Sequence, residues 1–439
     1  VKLTVIGCGY LGATHAACMA ELGHEVVGMD ADMDKVHLLN SGKAPFFEPG
    51  LDDLLAKHTA SGRLKFTASY AEAARFGDLH FIGVGTPQQA GEEAYDLTSL
   101  FSAVRGLVAH LHRPAVVAVK STVPVGTAPR VAEIVREYAP AGEQVQVAWN
   151  PEFLRESFAI EDTLRPDRLV LGFDSGQSWG ERVLRGCYEE VIGAGTPTIV
   201  TDWATAELAK ASANSFLATK ISFINAMAEV CETAGADVRE LAEILGHDVR
   251  IGRSGMSPGL GFGGGCLPKD LRGFLARAGE LGVDQAVDFL REVDAINSRC
   301  RERVVALARE QLGGDLAMKR ITVWGAAFKP NTDDIRDSPA LAVARKLHEA
   351  GAMVTVSDPK ALDNARKLHP ELDYVEDPLA AAEGAHLLLH LTEWPQFSRV
   401  DPAFLAGRVA VAKAIDGRGG LDADAWRAAG WTVRVLGRG

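Results

Sequence analysis

Leu3-Thr4-Val5-Ile6-Gly7-Cys8-Gly9-Tyr10-Leu11-Gly12 decides the fold. An apolar, β-branched run reads as a strand, three glycines follow at G-x-G-x-x-G spacing, and an alanine-rich helical stretch continues to about Leu22. A second strand, Glu25 to Met29, ends in Asp30, about 20 residues past the glycines, where dinucleotide-binding units carry an acid. A glycine triplet alone is weak evidence; between a strand and a helix, with that acid, it reads as a dinucleotide turn. Gly7 permits the tight turn, Gly9 the approach of a pyrophosphate and Gly12 close helix–strand packing, while the helix start favours the anion. Asp30 suits the ribose hydroxyls and repels a 2′-phosphate, so NAD is expected rather than NADP. Cys8, inside the turn, reads as a small packing residue. The plainer reading is a glycine turn without a cofactor.

Strand and helix patterns alternate from there. Further strands are expected at Leu64–Thr67, Leu79–Val84, Val116–Lys120, Val145–Trp149 and Leu169–Gly172, which is the grammar of a parallel, doubly wound sheet. From Thr205 to about Ala234 there is no Gly or Pro, and apolar residues recur at helical spacing, so one long helix is expected. Helical pattern returns at Val238–Leu245 and from Leu271 to about Leu312. Gly313-Gly314-Asp315 then punctuates the chain. After it, Ile321-Thr322-Val323-Trp324-Gly325 repeats the strand-then-glycine opening, and Val354 to Asp358 echoes the strand that ends in Asp30. The fold class expected is α/β in three parts. Residues 1–201 are expected to form a Rossmann NAD-binding domain, 202–312 a central long-helix region and 313–439 a Rossmann-like domain suited to a nucleotide-like substrate; the resemblance stated below makes the central region a dimerisation region and the last a nucleotide-sugar-binding domain.

A second stretch carries chemistry: Gly261-Phe262-Gly263-Gly264-Gly265-Cys266-Leu267-Pro268-Lys269-Asp270. Glycines let backbone N–H groups approach a ligand, and Pro268 suits a first helical turn. Cys266 then sits at the positive end of a helix beside Lys269, a setting that favours the thiolate. A lone cysteine is more often a packed core residue than a nucleophile. A thiol and a hydride acceptor in one chain point instead to oxidation through a covalent thioester.

Composition bounds the rest. The 439 residues allow two or three domains. A net charge of −12 argues against nucleic acid or an anionic membrane as partner, so an anionic substrate must meet a local cluster of Lys and Arg. Six cysteines without C-x-x-C spacing read as reduced thiols, with no zinc site or other metal and no disulfide framework. No stretch is apolar enough to span a bilayer, and the chain opens directly into a strand pattern rather than a signal peptide, so a cytoplasmic location is expected.

The chain resembles the UDP-glucose 6-dehydrogenase family, within the nucleotide-sugar 6-dehydrogenases, nearly from end to end. The resemblance rests on the opening turn, Val84-Gly85-Thr86-Pro87, Lys120-Ser121-Thr122-Val123-Pro124-Val125-Gly126 and Asn150-Pro151-Glu152-Phe153-Leu154-Arg155-Glu156. It continues through Glu207-Leu208-Ala209-Lys210 to Asn214, Arg250-Ile251-Gly252, the Cys266 loop, and Phe328-Lys329-Pro330-Asn331-Thr332-Asp333-Asp334-Ile335-Arg336-Asp337-Ser338-Pro339. Gly85 stands where the family's V-P-T-P motif has proline. Gly265 stands where a larger residue often precedes the cysteine.

The resemblance implies oxidation of UDP-glucose to UDP-glucuronate by two NAD⁺ in succession, with Cys266 carrying a thiohemiacetal and then a thioester. It makes Asp270 and Lys210 partners at C6 with an ordered water. Lys210 and Asn214, one turn apart on the long helix, would stabilise the oxyanion. Glu156 becomes the acid–base residue of thioester hydrolysis, with Thr122 positioning its water and Glu152 as second choice. NAD would meet Gly7, Gly9, Tyr10, Leu11, Gly12, Asp30, Lys35, Thr86, Thr122, Glu156, Lys269 and Arg336. The nucleotide-sugar would meet Glu152, Phe153, Leu154, Arg155, Glu156, Lys210, Asn214, the loop Gly255-Met256-Ser257-Pro258-Gly259, Gly263 and Lys329. Arg250 would reach a neighbouring subunit's substrate, which requires a homodimer or higher homo-oligomer with the long helix as interface. On their own, Lys210 reads as a solvated helix lysine, Glu152 and Glu156 as dipole partners of a helix start, and Asp333, Asp334 and Asp337 as caps or partners of Arg336. A dTDP-glucose dehydrogenase working by the same mechanism is the first alternative substrate reading, ahead of UDP-N-acetylmannosamine or GDP-mannose dehydrogenases. A two-electron β-hydroxyacid dehydrogenase has no need of Cys266 or a third domain. A non-catalytic NAD-binding regulator has no use for the thiol, glutamates and lysine together.

Overall fold

The computed structural model describes residues 1–174 and 178–438. The chain forms two compact units: Val1–Ala213 with Arg272–Gly282, and Asn214–Leu271 with Val283–Gly439. Among the described residues no helix is long and apolar enough to cross a membrane.

The first unit holds an eight-stranded sheet of β1 (Lys2–Ile6), β2 (Glu25–Met29), β3 (Leu64–Thr67), β4 (Leu79–Ile82), β5 (Ala115–Val119), β6 (Val145–Trp149), β7 (Leu169–Phe173) and β8 (Thr198–Asp202), in the order β3-β2-β1-β4-β5-β6-β7-β8. Its central strands are buried on both faces, and alternate residues serve two cores, as the two-residue period of a strand requires. Val116 and Ala118 of β5 face the core built with the Tyr10–Glu21 helix, while Val117 and Val119 face the one built with the Thr98–Val108 and Thr127–Tyr138 helices. The strand order reverses between β1 and β4, so a crevice lies beyond their carboxyl ends, the usual ligand site of open α/β sheets.

One expectation needs correction, and one strand was missed. The sheet is not wholly parallel: β6 and β7 pair antiparallel, Ala148 with Phe173 and Trp149 with Gly172. The connection between them keeps Ser157 and Ala159 bonded to Glu48, next to Tyr10 at the helix start. A chain that stays at one end of a sheet must re-enter it running backwards. The eighth strand, Thr198–Asp202, was not anticipated.

The second unit holds a six-stranded, wholly parallel sheet of β9 (Arg320–Trp324), β10 (Met353–Ser357), β11 (Asp373–Tyr374), β12 (Leu387–His390), β13 (Lys413–Asp416) and β14 (Thr432–Val435), in the order β11-β10-β9-β12-β13-β14. Trp324 anchors its core, stacked on Phe397 at 5.1 Å and edge-on to Trp426 at 6.1 Å. The long helix, Trp203–Ala234, begins in the first unit and ends in the second. The helical pattern expected from Leu271 to Leu312 is instead three helices, Leu267–Glu280, Asp284–Val287 and Phe289–Gln311. The first of them stops where Gly282 takes φ +72°. A left-handed glycine just past a helix end is the commonest stop signal, and apolar periodicity alone does not register it.

Candidate active site

In the first unit the opening turn has the geometry its glycines promise. Gly7 takes φ +87°, and a Cβ on Gly12 would lie 1.8 Å from the Gly7 carbonyl oxygen, so the turn and the Tyr10–Glu21 helix touch backbone to backbone. A Cβ on Gly9 would meet nothing within 4 Å. Gly9 is also the N-cap and offers no side chain, so the first-turn N–H groups of the helix have no side-chain cap. An open, uncapped helix start of this kind fits a pyrophosphate. Asp30, at the end of β2, accepts from Cys8 N at 2.8 Å and from Asp32 N at 3.1 Å and pairs with Lys35 Nζ at 3.0 Å. Cys8 is buried, and that burial pushes its thiol far above the usual range.

Beyond β4 and β5, the Thr86 hydroxyl donates to the Thr122 carbonyl at 2.6 Å, joining the two segments expected at the cofactor. Beyond β6, the Glu152 and Lys210 side chains form a buried ion pair at 3.1 Å, and Glu152 also accepts from Leu154 N at 2.7 Å. Two cations approach the Phe153 ring, Arg168 at 3.8 Å and Lys210 at 5.7 Å from its centroid. Arg155 is exposed and bidentate to Asp162, at 2.9 and 2.7 Å. Glu156 is buried.

Three groups here were not singled out from sequence. Glu48 is buried, receives the Tyr10 hydroxyl, and accepts from Ser157 N and Ala159 N at 2.8 Å each. It therefore ties the start of the Tyr10–Glu21 helix to the segment carrying Glu152 and Glu156, while Ser157 takes φ +72°. No local pattern links residues 10, 48 and 157. Lys120 is buried against the Phe81 ring, 3.0 Å from Asn150 Oδ1, and its burial lowers its pKa to about 8. It stood in a quoted motif, but burial is not visible in a motif. Glu207 is the third.

In the second unit, the Asp270 amide donates to the Cys266 carbonyl at 2.8 Å, so Cys266 is the N-cap of the Leu267–Glu280 helix, and it is exposed. The other five cysteines are buried thiols. Asp270 is 1% exposed and accepts from Asn214 Nδ2 and Lys269 Nζ, each at 2.6 Å. The glycine run is shaped by the segment that follows β9. A Cβ on Gly263 would lie 2.3 Å from the Asp337 carbonyl oxygen, and one on Gly265 would meet the Arg336 guanidinium at 2.3 Å. Any residue larger than glycine just before the cysteine would displace Arg336, which is otherwise paired with Asp334 at 2.6 Å. Asp337 pairs with Arg301 at 2.6 Å. Lys329 lies over the Phe328 ring at 5.4 Å.

The Gly255–Gly259 loop turns at Gly255, with φ +78°, buries Met256, and is tied at Gly259 N to Asn225 Oδ1 at 2.8 Å; Ser257 is exposed and Pro258 half-buried. Arg418, also not anticipated, donates to the carbonyls of Leu391, Gly261 and Phe328 at 3.0, 3.1 and 3.3 Å, stitching the Cys266 loop to the sheet. Arg250 is 85% exposed and held by Asp248 at 2.6 Å.

Comparison with known proteins gives matches along the whole chain. Profiles of the UDP-glucose/GDP-mannose dehydrogenase family match in three successive pieces: its NAD binding domain over residues 1–192, its central domain over 204–299 and its UDP binding domain over 322–423. A UDP-glucose 6-dehydrogenase of Rhizobium meliloti is 43% identical, with 91% of each chain covered. One from Pseudomonas aeruginosa is 38% identical over 95% of this chain and 93% of its own. Among solved structures, a UDP-glucose dehydrogenase from Pyrobaculum islandicum superposes with a TM-score of 0.91 at 38% identity, covering 100% of this chain and 98% of that one. A UDP-D-ManNAc dehydrogenase from Pyrococcus horikoshii gives 0.87 at 27% identity, with both chains fully covered at 100%.

Proposed function

The chain belongs to the UDP-glucose/GDP-mannose dehydrogenase family, an NAD-dependent oxidoreductase family, and on that premise we propose that it oxidises UDP-glucose to UDP-glucuronate. The observation that carries the reading is the exposed Cys266 thiol at an N-cap, four residues before a buried Asp270 that is bonded to Asn214 and Lys269. Bound NAD⁺ supplies hydride acceptance at the sugar C6, twice in succession with exchange of the reduced cofactor.

The residues supply the rest. Asp270, through a water, takes the C6 hydroxyl proton, and Lys210 and Asn214 stabilise the developing oxyanion. The Cys266 sulfur adds to the aldehyde carbon and its proton passes to the carbonyl oxygen, giving a thiohemiacetal. Loss of a hydride and the hydroxyl proton leaves the thioester. Water then attacks, the C–S bond breaks, and the carboxylic acid departs as the thiol regains its proton. Glu152 is committed to Lys210, so the acid–base role in hydrolysis goes to Glu156, with Thr122 directing the water.

Gly7, Gly9, Tyr10, Leu11, Gly12, Asp30, Lys35, Thr86, Lys269 and Arg336 are assigned to NAD. Phe153, Leu154, Arg155, Gly255 to Gly259, Gly263 and Lys329 are assigned to the nucleotide-sugar. Phe216, Phe223 and Val230 are 68%, 49% and 57% exposed on the long helix at seven-residue spacing, an apolar stripe that a second copy would cover. Exposed Arg250 is assigned to the site of that second copy, and six free thiols fit a cytoplasmic enzyme. The test is a panel of initial rates with UDP-glucose, dTDP-glucose, UDP-N-acetylmannosamine and GDP-mannose at matched concentrations. UDP-glucose is expected to be fastest; a higher rate with any other sugar nucleotide rejects the substrate assignment.

A further inference from the structure

Glu207 lies on the long helix three residues before Lys210, is 2% exposed, and has no part in the reaction proposed above. Its two carboxylate oxygens accept from Gly126 N at 2.7 Å and Ala128 N at 2.6 Å. Those N–H groups open the Thr127–Tyr138 helix, whose own N-cap residue, Gly126 at φ +94°, has no side chain with which to cap it. A carboxylate from another helix therefore does the capping. The segment it grips runs back to Thr122, whose carbonyl holds the Thr86 hydroxyl.

Arg277, on the Leu267–Glu280 helix, faces Glu207 and donates to the Val125 carbonyl at 2.8 Å, holding the same segment from the other side. Beside the segment is a cavity of about 230 Å³ lined by Gly126, Thr127, Arg130 and Arg277, which leaves room for it to move. The charged groups around the clamp are Arg277, Arg130 on the Thr127–Tyr138 helix, Glu280 paired with Arg277 at 2.5 Å, and Lys210 on Glu207's own helix, committed to Glu152.

We infer that Glu207 is a positioning residue whose ionised carboxylate clamps the Thr122–Gly126 segment to the helix carrying Lys210, and that its protonation releases the clamp. The importance of Thr122 and Lys210 rests on the function proposed above; the clamp itself does not. An ionised carboxylate accepts both N–H groups, whereas a protonated one turns an O–H donor towards one of them and loses that bond. Burial raises the Glu207 pKa to about 7, against the pull of the Gly126 and Ala128 N–H groups and of Arg277, so the two states exchange near neutral pH.

The experiment follows amide exchange at Gly126 and Ala128 by NMR in the full-length enzyme, between about pH 5.5 and 8.5, with wild type, Glu207→Gln and Arg277→Gln. It is paired with kcat for NADH formation from UDP-glucose. Wild-type protection, corrected for intrinsic rates, should fall about tenfold from pH 8 to pH 6, as one proton binding near pH 7 requires. Glu207→Gln should show the low protection at both pH values. The wild-type to Glu207→Gln ratio of kcat should shrink from about ten at pH 8 to about one at pH 6, with KM for NAD unchanged. Arg277→Gln, which removes the facing charge, should move the wild-type midpoint to higher pH.

Protection in Glu207→Gln equal to wild type, or a kcat ratio that ignores pH, overturns the clamp. If Glu207→Gln does not fold, an Arg277→Gln midpoint that stays in place overturns it instead. If UDP-glucose gives no NADH, the substrate reading fails while the exchange measurement still decides the clamp.

Discussion

The two sheets open with the same turn and use it in opposite ways. Gly7 N donates to Met29 O at 2.8 Å and Cys8 N to Asp30 Oδ2 at 2.8 Å; Gly325 N donates to Ser357 O at 2.8 Å and Ala326 N to Asp358 Oδ2 at 2.8 Å. In the first unit the helix starts at once behind a bare Gly9 that gives its N–H groups no side-chain cap, and buried Asp30 shares its carboxylate between Cys8 N, Asp32 N and the Lys35 ammonium. In the second unit Asp358 is 1% exposed and accepts from Ala326 N, Ala327 N, Lys360 N, Ala361 N and Trp394 Nε1. Its helix starts only at Pro339, capped by Ser338. A turn whose donors and acceptors are all spoken for has nothing left for a dinucleotide. What the second unit offers instead is the long segment between its glycine and that helix, carrying Lys329 and Arg336.

The ends of the equivalent strands β5 and β13 differ in the same spirit. Lys120 follows β5 as a buried cation with its pKa lowered by desolvation, whereas Asp416 ends β13 paired with buried His390 at 2.8 Å. Burial works to raise the Asp416 carboxyl, but His390 and the N–H groups of Leu421 and Arg418 outweigh it and hold it below its usual range. One unit carries electrostatic tension beside its ligand crevice; the other has it compensated.

Substitutions sharpen or break this contrast. The largest effect belongs to Gly12→Val, whose Cβ would fall 1.8 Å from a backbone oxygen. NAD titration and NADH formation should both fall roughly a thousandfold, ~4 kcal/mol. Lys120→Met should raise the thermal stability of the first unit at pH 7. A lysine whose folded pKa is depressed from 10.5 to about 8 costs stability while it stays charged, on the order of 3 kcal/mol, and the cost disappears as pH rises from 8 to 10.5. The gain in Lys120→Met should therefore vanish by pH 10.5; a gain independent of pH would place its cause in packing.

Asp358→Asn should cost about 2 kcal/mol of stability, seen as a lower Tm, with NAD affinity intact, because it turns a buried acceptor into a donor. Asp30→Asn should do the reverse and by less. It should weaken NAD binding about tenfold, ~1.4 kcal/mol, narrow the preference over NADP, and leave Tm almost unchanged. If the two aspartates behave alike, the distinction between an open and a sealed turn is wrong.

The opening turn, Asp30 and the repeated glycine at Gly325 were legible because each depends on residues close in sequence. The antiparallel β7 was not, since strand direction depends on where the preceding connection lies rather than on the strand's own residues. Thr198–Asp202 escaped because it is an edge strand with Ile199 and Val200 exposed, and it runs into the long helix without turn residues between them. Cys266 was picked out as a candidate nucleophile from one contiguous motif, and Asp270 through the family resemblance. The Tyr10–Glu48–Ser157 link and the Glu207 clamp join residues from distant stretches, and no spacing rule reports such a meeting.

In the proposed reaction one open NAD turn and one thiol serve both oxidations. Limiting UDP-glucose should be run to completion with excess NAD⁺, and the NADH formed counted against the sugar nucleotide consumed. Two NADH are expected for each UDP-glucose, with the uronic acid as product and little free aldehyde. A ratio of one, with aldehyde accumulating, would contradict it.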